Sequence, residues 1–166
     1  MRIDRVAENI YAFISDLYVQ AAAGAVLTDE GAVVIDTLPF PEETQQLIAF
    51  VESRLGPGSI RYVVLTHYQA DHVYGAYLFH GAKVVAHDRC RGLLDRVGRL
   101  ALNRAKRDNA MLADVRIRLP DMTFKHEMCI RLGERQLQLR HAPGHTADGV
   151  TILEEDDEVL FAGDLA

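Results

Sequence analysis

The sequence predicts an α+β domain, and three observations carry that prediction. A meander of short apolar runs opens the chain, one long amphipathic helical pattern begins at Pro41, and a second series of hairpin-spaced apolar runs follows from Glu127. No linker composition or internal repeat divides the chain, so residues 1–166 read as a single domain.

Taken in order, "NIYAFI", "AGAVLT" and "AVVIDT" are apolar runs bounded by turn residues such as "TDEG", the pattern of buried strands. "PEETQQLIAFVESRLG" then places Leu47, Ile48, Val51 and Leu55 at helical spacing, with proline and acidic residues at its start and Gly56 as its stop. "RYVVLT" is a buried strand, "VYGAYLF" a short helix and "AKVVAH" another strand. The segment from Asp88 to Leu112 reads as helical, interrupted at Gly98, with a basic stripe between Arg89 and Arg107 that Asp88, Asp95 and Asp108 dilute to a solvated face. "EMCIRLGERQLQLRHA" and "VTILEEDDEVLFAGD" close the chain as hairpins turning at "LGE" and "EDD".

Composition narrows the function classes. The chain is 49% hydrophobic and 25% charged, an ordinary globular balance, and its net charge of −6 disfavours nucleic acid and anionic membranes as partners. The opening residues lack the apolar core of a signal peptide, and "VQAAAGAVL" is too short to cross a bilayer, which predicts a cytoplasmic protein with a small-molecule substrate. Cys90 and Cys129 have no metal-binding or disulfide spacing and read as semi-buried thiols.

Directly after "RYVVL" comes "THYQADH", with His67, Gln69, Asp71 and His72 in six positions. A strand would split these side chains between two faces, whereas a loop at a strand end can turn all four to one point. Imidazole and carboxylate groups converging in this way are the ligands of zinc, iron or manganese. Two further stretches belong with them. "APGHTADG" places His145 in a tight turn between strands, and "VLFAGD" ends a strand on Asp164.

"THYQADH", "PGHTADG" and "FAGD", in that order, resemble the metal-binding motifs of the metallo-β-lactamase superfamily, and matching elements span nearly the whole chain. The resemblance implies an αββα sandwich with a metal site at one edge of two packed sheets. It implies that His67 and His145 bind a first metal, Asp71 and His72 a second, and Asp164 both, with Asp71 also orienting the nucleophile. Thr66 and Thr146 would orient ligands from behind, turn formation being a second reading of Thr146. The activity implied is hydrolysis of a small ester, lactam, lactone or thioester by a metal-activated water, with zinc as one or two ions ahead of iron or manganese.

Two departures accompany the resemblance. Where the family has a histidine, this chain has Gln69, a neutral amide that should weaken the first site. In the flavodiiron members a glutamate stands there and binds iron; Gln69 has its shape without its charge. The chain also stops two residues after Asp164, which implies a second half incomplete at the C-terminus and lacking the family's last histidine. His80, His87, His126 and His141 match no ligand position, although His87 could line the site mouth. Exposed apolar sheet at "VTIL" and "VLFA" would then favour a homodimer. The alternatives to a hydrolase are a catalytically weak fold relic or interaction module, a nucleic-acid-processing member, and an iron-dependent redox member.

Overall fold

The computed structural model describes residues 1–165, leaving Ala166 of the expected domain outside the described residues. Among the described residues, eleven strands form two sheets. β1 (Arg2–Ala7), β2 (Ile10–Ile14), β3 (Ala22–Thr28), β4 (Gly31–Ile35), β5 (Ile60–Val64), β6 (Lys83–His87) and β7 (Met122–Phe124) make the larger sheet in sequence order. Pairing is antiparallel through β4 and parallel from β4 to β7. β8 (Glu127–Leu132), β9 (Arg135–His141), β10 (Val150–Glu154) and β11 (Val159–Phe161) form an antiparallel second sheet.

Alternation along the buried strands sorts side chains into two cores. Val33, Ile35, Val64 and Val85 face the second sheet, meeting Ile130, Leu137, Leu139, Val150 and Ile152. Ala32, Val34, Val63, Val84 and Ala86 face the helices. There α1 (Pro41–Leu55) contributes Leu47 and Val51, and α3 (Asp88–Leu93), which follows the short α2 (Ala70–Val73), contributes Cys90. The result is a helix, sheet, sheet layering. Cys129, Arg131 and Arg140 are exposed on the outer face of the second sheet.

Most expected elements are present, with physically explicable differences. β1 escapes the apolar-run criterion because it is a charged, exposed edge strand, a composition that discourages further pairing. Gly98 does not interrupt the helix. It ends a π-helical turn, Leu94–Gly98, that leads straight into α4 (Arg99–Asp108), and a side chain there would press on Leu94. Gly56, by contrast, is a true stop, with a φ of 93° and its N–H bonded to the Glu52 carbonyl. Val150 and Ile152 are turned inward and fully buried, so the apolar surface expected on the second sheet shrinks mainly to Leu160, which is 59% exposed. Cys90 is fully buried and Cys129 exposed, rather than both being semi-buried. No helix of the described residues is long and apolar enough to cross a membrane.

His87 does not line the site mouth. It is buried at the end of β6, where its Nδ1 accepts the Arg89 N–H at 3.2 Å and caps α3, while Nε2 donates to the Lys125 carbonyl at 2.9 Å. Burial chiefly holds its pKa below the ordinary value, keeping the imidazole neutral as the cap requires. The stability this arrangement contributes is full above the ordinary histidine pKa and is lost as pH falls below it. His87→Ala should therefore cost about 1–2 kcal/mol in urea unfolding at neutral pH, the upper range for a lost cap, and should flatten the acid limb below about pH 6.5.

Candidate metal centre

The parallel pairing of β4, β5 and β6 brings their C-terminal ends to one edge, where segments leaving the strands can meet. β4 ends into Asp36 and β5 into Thr66 and His67. The chain then turns, so Gln69 precedes α2, which carries Asp71 and His72 on its single turn. The four motif residues thus occupy a loop and a helical start rather than a loop alone. From the second sheet, His145 lies in the β9–β10 turn and Asp164 in the 3₁₀ turn after β11.

All six residues expected from the sequence converge. His72 Nε2 lies 3.1 Å from Asp164 Oδ1 and 3.5 Å from Asp71 Oδ2. Asp164 Oδ2 faces the other two imidazoles, 3.5 Å from His145 Nε2 and 3.8 Å from His67 Nε2. One carboxylate therefore stands between two ligand groups, His67, Gln69 and His145 on one side and Asp71 and His72 on the other. The Gln69 amide oxygen points inward, 3.2 Å from His67 Nε2 and 2.8 Å from His145 Nε2.

A residue absent from the sequence reading organises this cluster. Asp36, 3% exposed, accepts the Thr66 N–H at 2.7 Å and the Thr66 hydroxyl at 2.6 Å, and bonds His72 Nδ1 at 2.7 Å. Its φ of 57° lies in the left-handed region that aspartate tolerates better than most residues. The available signal was a lone carboxylate closing the otherwise buried run "AVVID". Thr66 fulfils its expected orienting role, its hydroxyl lying 3.0 Å from His67 Nδ1. Thr146 does not: its buried hydroxyl has no partner among the described residues, and its carbonyl receives the Gly144 N–H, consistent with turn formation.

Close approach explains the glycine of "FAGD". At Gly163, φ is 56°, and a β-carbon would lie 2.8 Å from Thr66 Oγ1. Only glycine lets the Asp164 turn settle this close to the motif loop.

The electrostatics suit a cation. Burial works against charge on His72, but the Asp36 carboxylate, by charge and hydrogen bond, and then Asp71 outweigh it and raise the pKa to about 11. The carboxylates of Asp36, Asp71 and Asp164 around His72 make this an anionic surrounding, which also favours a cation. His67 is shifted the other way, lowered first by burial and then by His72, so it presents a neutral imidazole. Asp71 is held below the carboxylate range by its hydrogen bond to His72, against burial. Ligand atoms of His67, His72 and Asp164 all lie within 4.8 Å of one another, and the remote nitrogens of His67 and His72 are held by Thr66 and Asp36. The donor set fits a divalent ion.

Layering, motif order and this cluster define a sheet sandwich with a candidate metal centre at one edge. The family model described as the metallo-beta-lactamase superfamily matches residues 18–166. The chain belongs to the metallo-β-lactamase superfamily. Among solved structures, it resembles a metallo-β-lactamase from Pontibacter korlensis with 25% identity and a TM-score of 0.72, covering 99% of this chain and 73% of that one. The metallo-β-lactamase DIM-1, exposed to ceftazidime, aligns with a TM-score of 0.74 at 20% identity, covering 98% and 68%. BJP-1, a subclass B3 metallo-β-lactamase of Bradyrhizobium japonicum, gives 0.72 at 22%, covering 96% and 60%. By sequence, a putative transcription factor of Aspergillus versicolor, avaE, is 30% identical over 111 residues, 63% of this chain. The chain spans about a third of the length of that relative, 32%.

Asp36→Asn keeps the shape and tolerance of positive φ but turns part of an acceptor into a donor. It should lower zinc affinity by about tenfold to a hundredfold, the usual cost of losing a partner behind a ligand, as measured by competition with a chromogenic chelator.

Proposed function

We propose that the chain is a zinc-dependent hydrolase acting on a small ester, lactam, lactone or thioester. One observation carries the reading: Asp164 presents one oxygen to His72 and the other to His67 and His145, so that a single carboxylate could serve both groups of candidate ligands. His67, Gln69 and His145 would hold one ion, Asp71 and His72 the other. Bound there, divalent ions would supply Lewis acidity toward a carbonyl oxygen and lower the pKa of a water.

The chain's own residues account for the rest. Asp36 and Thr66 fix which imidazole nitrogens face the centre. Asp71, with its carboxylate stabilised in the charged form and 23% exposed, can accept a hydrogen bond from an attacking water and so orient it. The Gln69 amide is a neutral and weaker zinc donor than imidazole, so the side with Asp71, His72 and Asp164 should fill in preference. The small cavity of about 200 Å³ between His72, Asp164 and the β2–β3 end admits a compact substrate.

Elemental analysis after dialysis against trace zinc should find metal at fewer than two ions per chain, and chelation should abolish ester or lactam hydrolysis. No bound metal would overturn the reading in favour of a non-catalytic interaction module. Gln69→His should raise zinc affinity by about tenfold or more in calorimetric titration, with hydrolysis rising alongside. Unchanged affinity would mean that the amide already serves as an adequate ligand or is not one.

A further inference from the structure

Of the three imidazoles in the centre, His145 is the least secured. The remote nitrogens of His67 and His72 are held by Thr66 and Asp36, whereas His145 Nδ1 has no such partner among the described residues. Its side chain is also 41% exposed, while those of His67 and His72 are buried. The direction of His145 must therefore come from the backbone that carries it, the turn between β9 and β10 that opens on Pro143 and Gly144.

That turn is closed on itself, the Ala142 N–H donating to the Gly149 carbonyl at 2.8 Å and the Gly144 N–H to the Thr146 carbonyl at 3.2 Å. Its tilt against the rest of the protein depends on the Ala147 carbonyl, which accepts from His141 Nε2 at 3.0 Å and from Arg89 Nη1 at 3.3 Å. A carbonyl can only accept, so the His141 proton on this side is carried by Nε2. His141, the last residue of β9, is itself steadied by its ring, which stacks on that of buried His87 with centroids 3.7 Å apart and planes 9° from parallel. His87 is fixed in turn by the Lys125 carbonyl and the Arg89 N–H. One donor from α3 and one from β9 thus meet on a single carbonyl two residues beyond His145.

A turn docked in this way needs holding. Asp148, next after Ala147, is fully buried, and neither carboxylate oxygen has a hydrogen-bond partner among the described residues. It lies near Cys90 of α3, whose thiol is pushed well above its ordinary pKa first by burial and then by the Asp148 charge. Burying a carboxylate without hydrogen bonds is unfavourable, so the turn would gain solvation by lifting away from α3. The two bonds to Ala147 oppose that movement.

We propose that His141 and Arg89 are positioning residues for His145: their shared hold on the Ala147 carbonyl keeps the turn docked on α3 and His145 Nε2 directed into the centre. The consequence for metal binding rests on the hydrolase reading above, whereas the hold on the turn can be measured in the metal-free chain.

His141→Phe keeps a flat ring to stack on His87 but has no donor. In the metal-free chain it should accelerate amide exchange at Ala142 and Gly144 about fivefold or more and leave Ile152, within β10, unchanged. Arg89→Met, which removes the other donor, should act in the same direction and serves should the first variant fail to fold. His141→Gln, whose amide N–H₂ can reach the same carbonyl, should keep the native exchange. Calorimetric titration to excess zinc should then show His141→Phe weakening the weaker step, on the His67, Gln69 and His145 side, by about tenfold, with the tighter step moving less than about twofold. A merely structural role would weaken both steps alike. Equal weakening of the two steps, a single zinc step unmoved by His141→Phe, or unchanged exchange in both donor-removing variants would overturn the inference. A native chain that takes up no zinc would overturn the hydrolase reading instead, with the hold on the turn decided by exchange alone.

Discussion

The geometry of the centre depends on one buried carboxylate. Asp36 closes β4 just where the parallel pairing with β5 ends, and its own N–H continues that pairing by donating to the Val64 carbonyl at 2.8 Å. From there it holds the backbone and hydroxyl of Thr66 and one nitrogen of His72. Those hydrogen bonds repay the desolvation of an anion that would otherwise be strongly unfavourable in the interior. They also decide the direction of two ligands at once. Thr66 orients His67, while Asp36 leaves His72 Nε2 aimed at Asp71 and Asp164.

The two sides of the centre have different chemical characters. Asp71 and His72 lie in an anionic surrounding that favours positive charge, as the raised pKa of His72 shows. His67 and His145 face a neutral amide, and His67 sits where burial disfavours protonation. Asp164 touches both sides and contributes the only carboxylate oxygen recorded against His145 among the described residues. Two chemically unequal groups of candidate ligands are therefore built into the protein.

Much of this was legible in the sequence because ligand motifs are local. His67, Gln69, Asp71 and His72 crowd into six positions, and the turns carrying His145 and Asp164 sit at the ends of recognisable strands. The helix from Pro41 was readable from its start, its stop and its apolar spacing. What escaped was set by tertiary context. Asp36 looks like a strand-end residue until β4 and β5 are placed side by side, and β1 acquires its structure by pairing rather than by burying a face. His87 resembles a spare ligand until the Lys125 carbonyl and Arg89 N–H are found to occupy its two nitrogens. Thr146, expected behind a ligand, is turned into its own loop.

The bond from the Val150 N–H to the Thr66 carbonyl, 2.8 Å long, ties the second sheet to the motif loop. Gln69 and His145, which meet at the centre, are separated by 76 residues. Neither half of the chain can assemble the centre alone, and the intervening loop must close before these contacts are available. Metal capture would thereby be coupled to the docking of the two sheets: an ion held by His67, His145 and Asp164 would clamp the halves together, and its departure would loosen the same seam. In such a protein, the metal-binding equilibrium and the late steps of folding share a free energy.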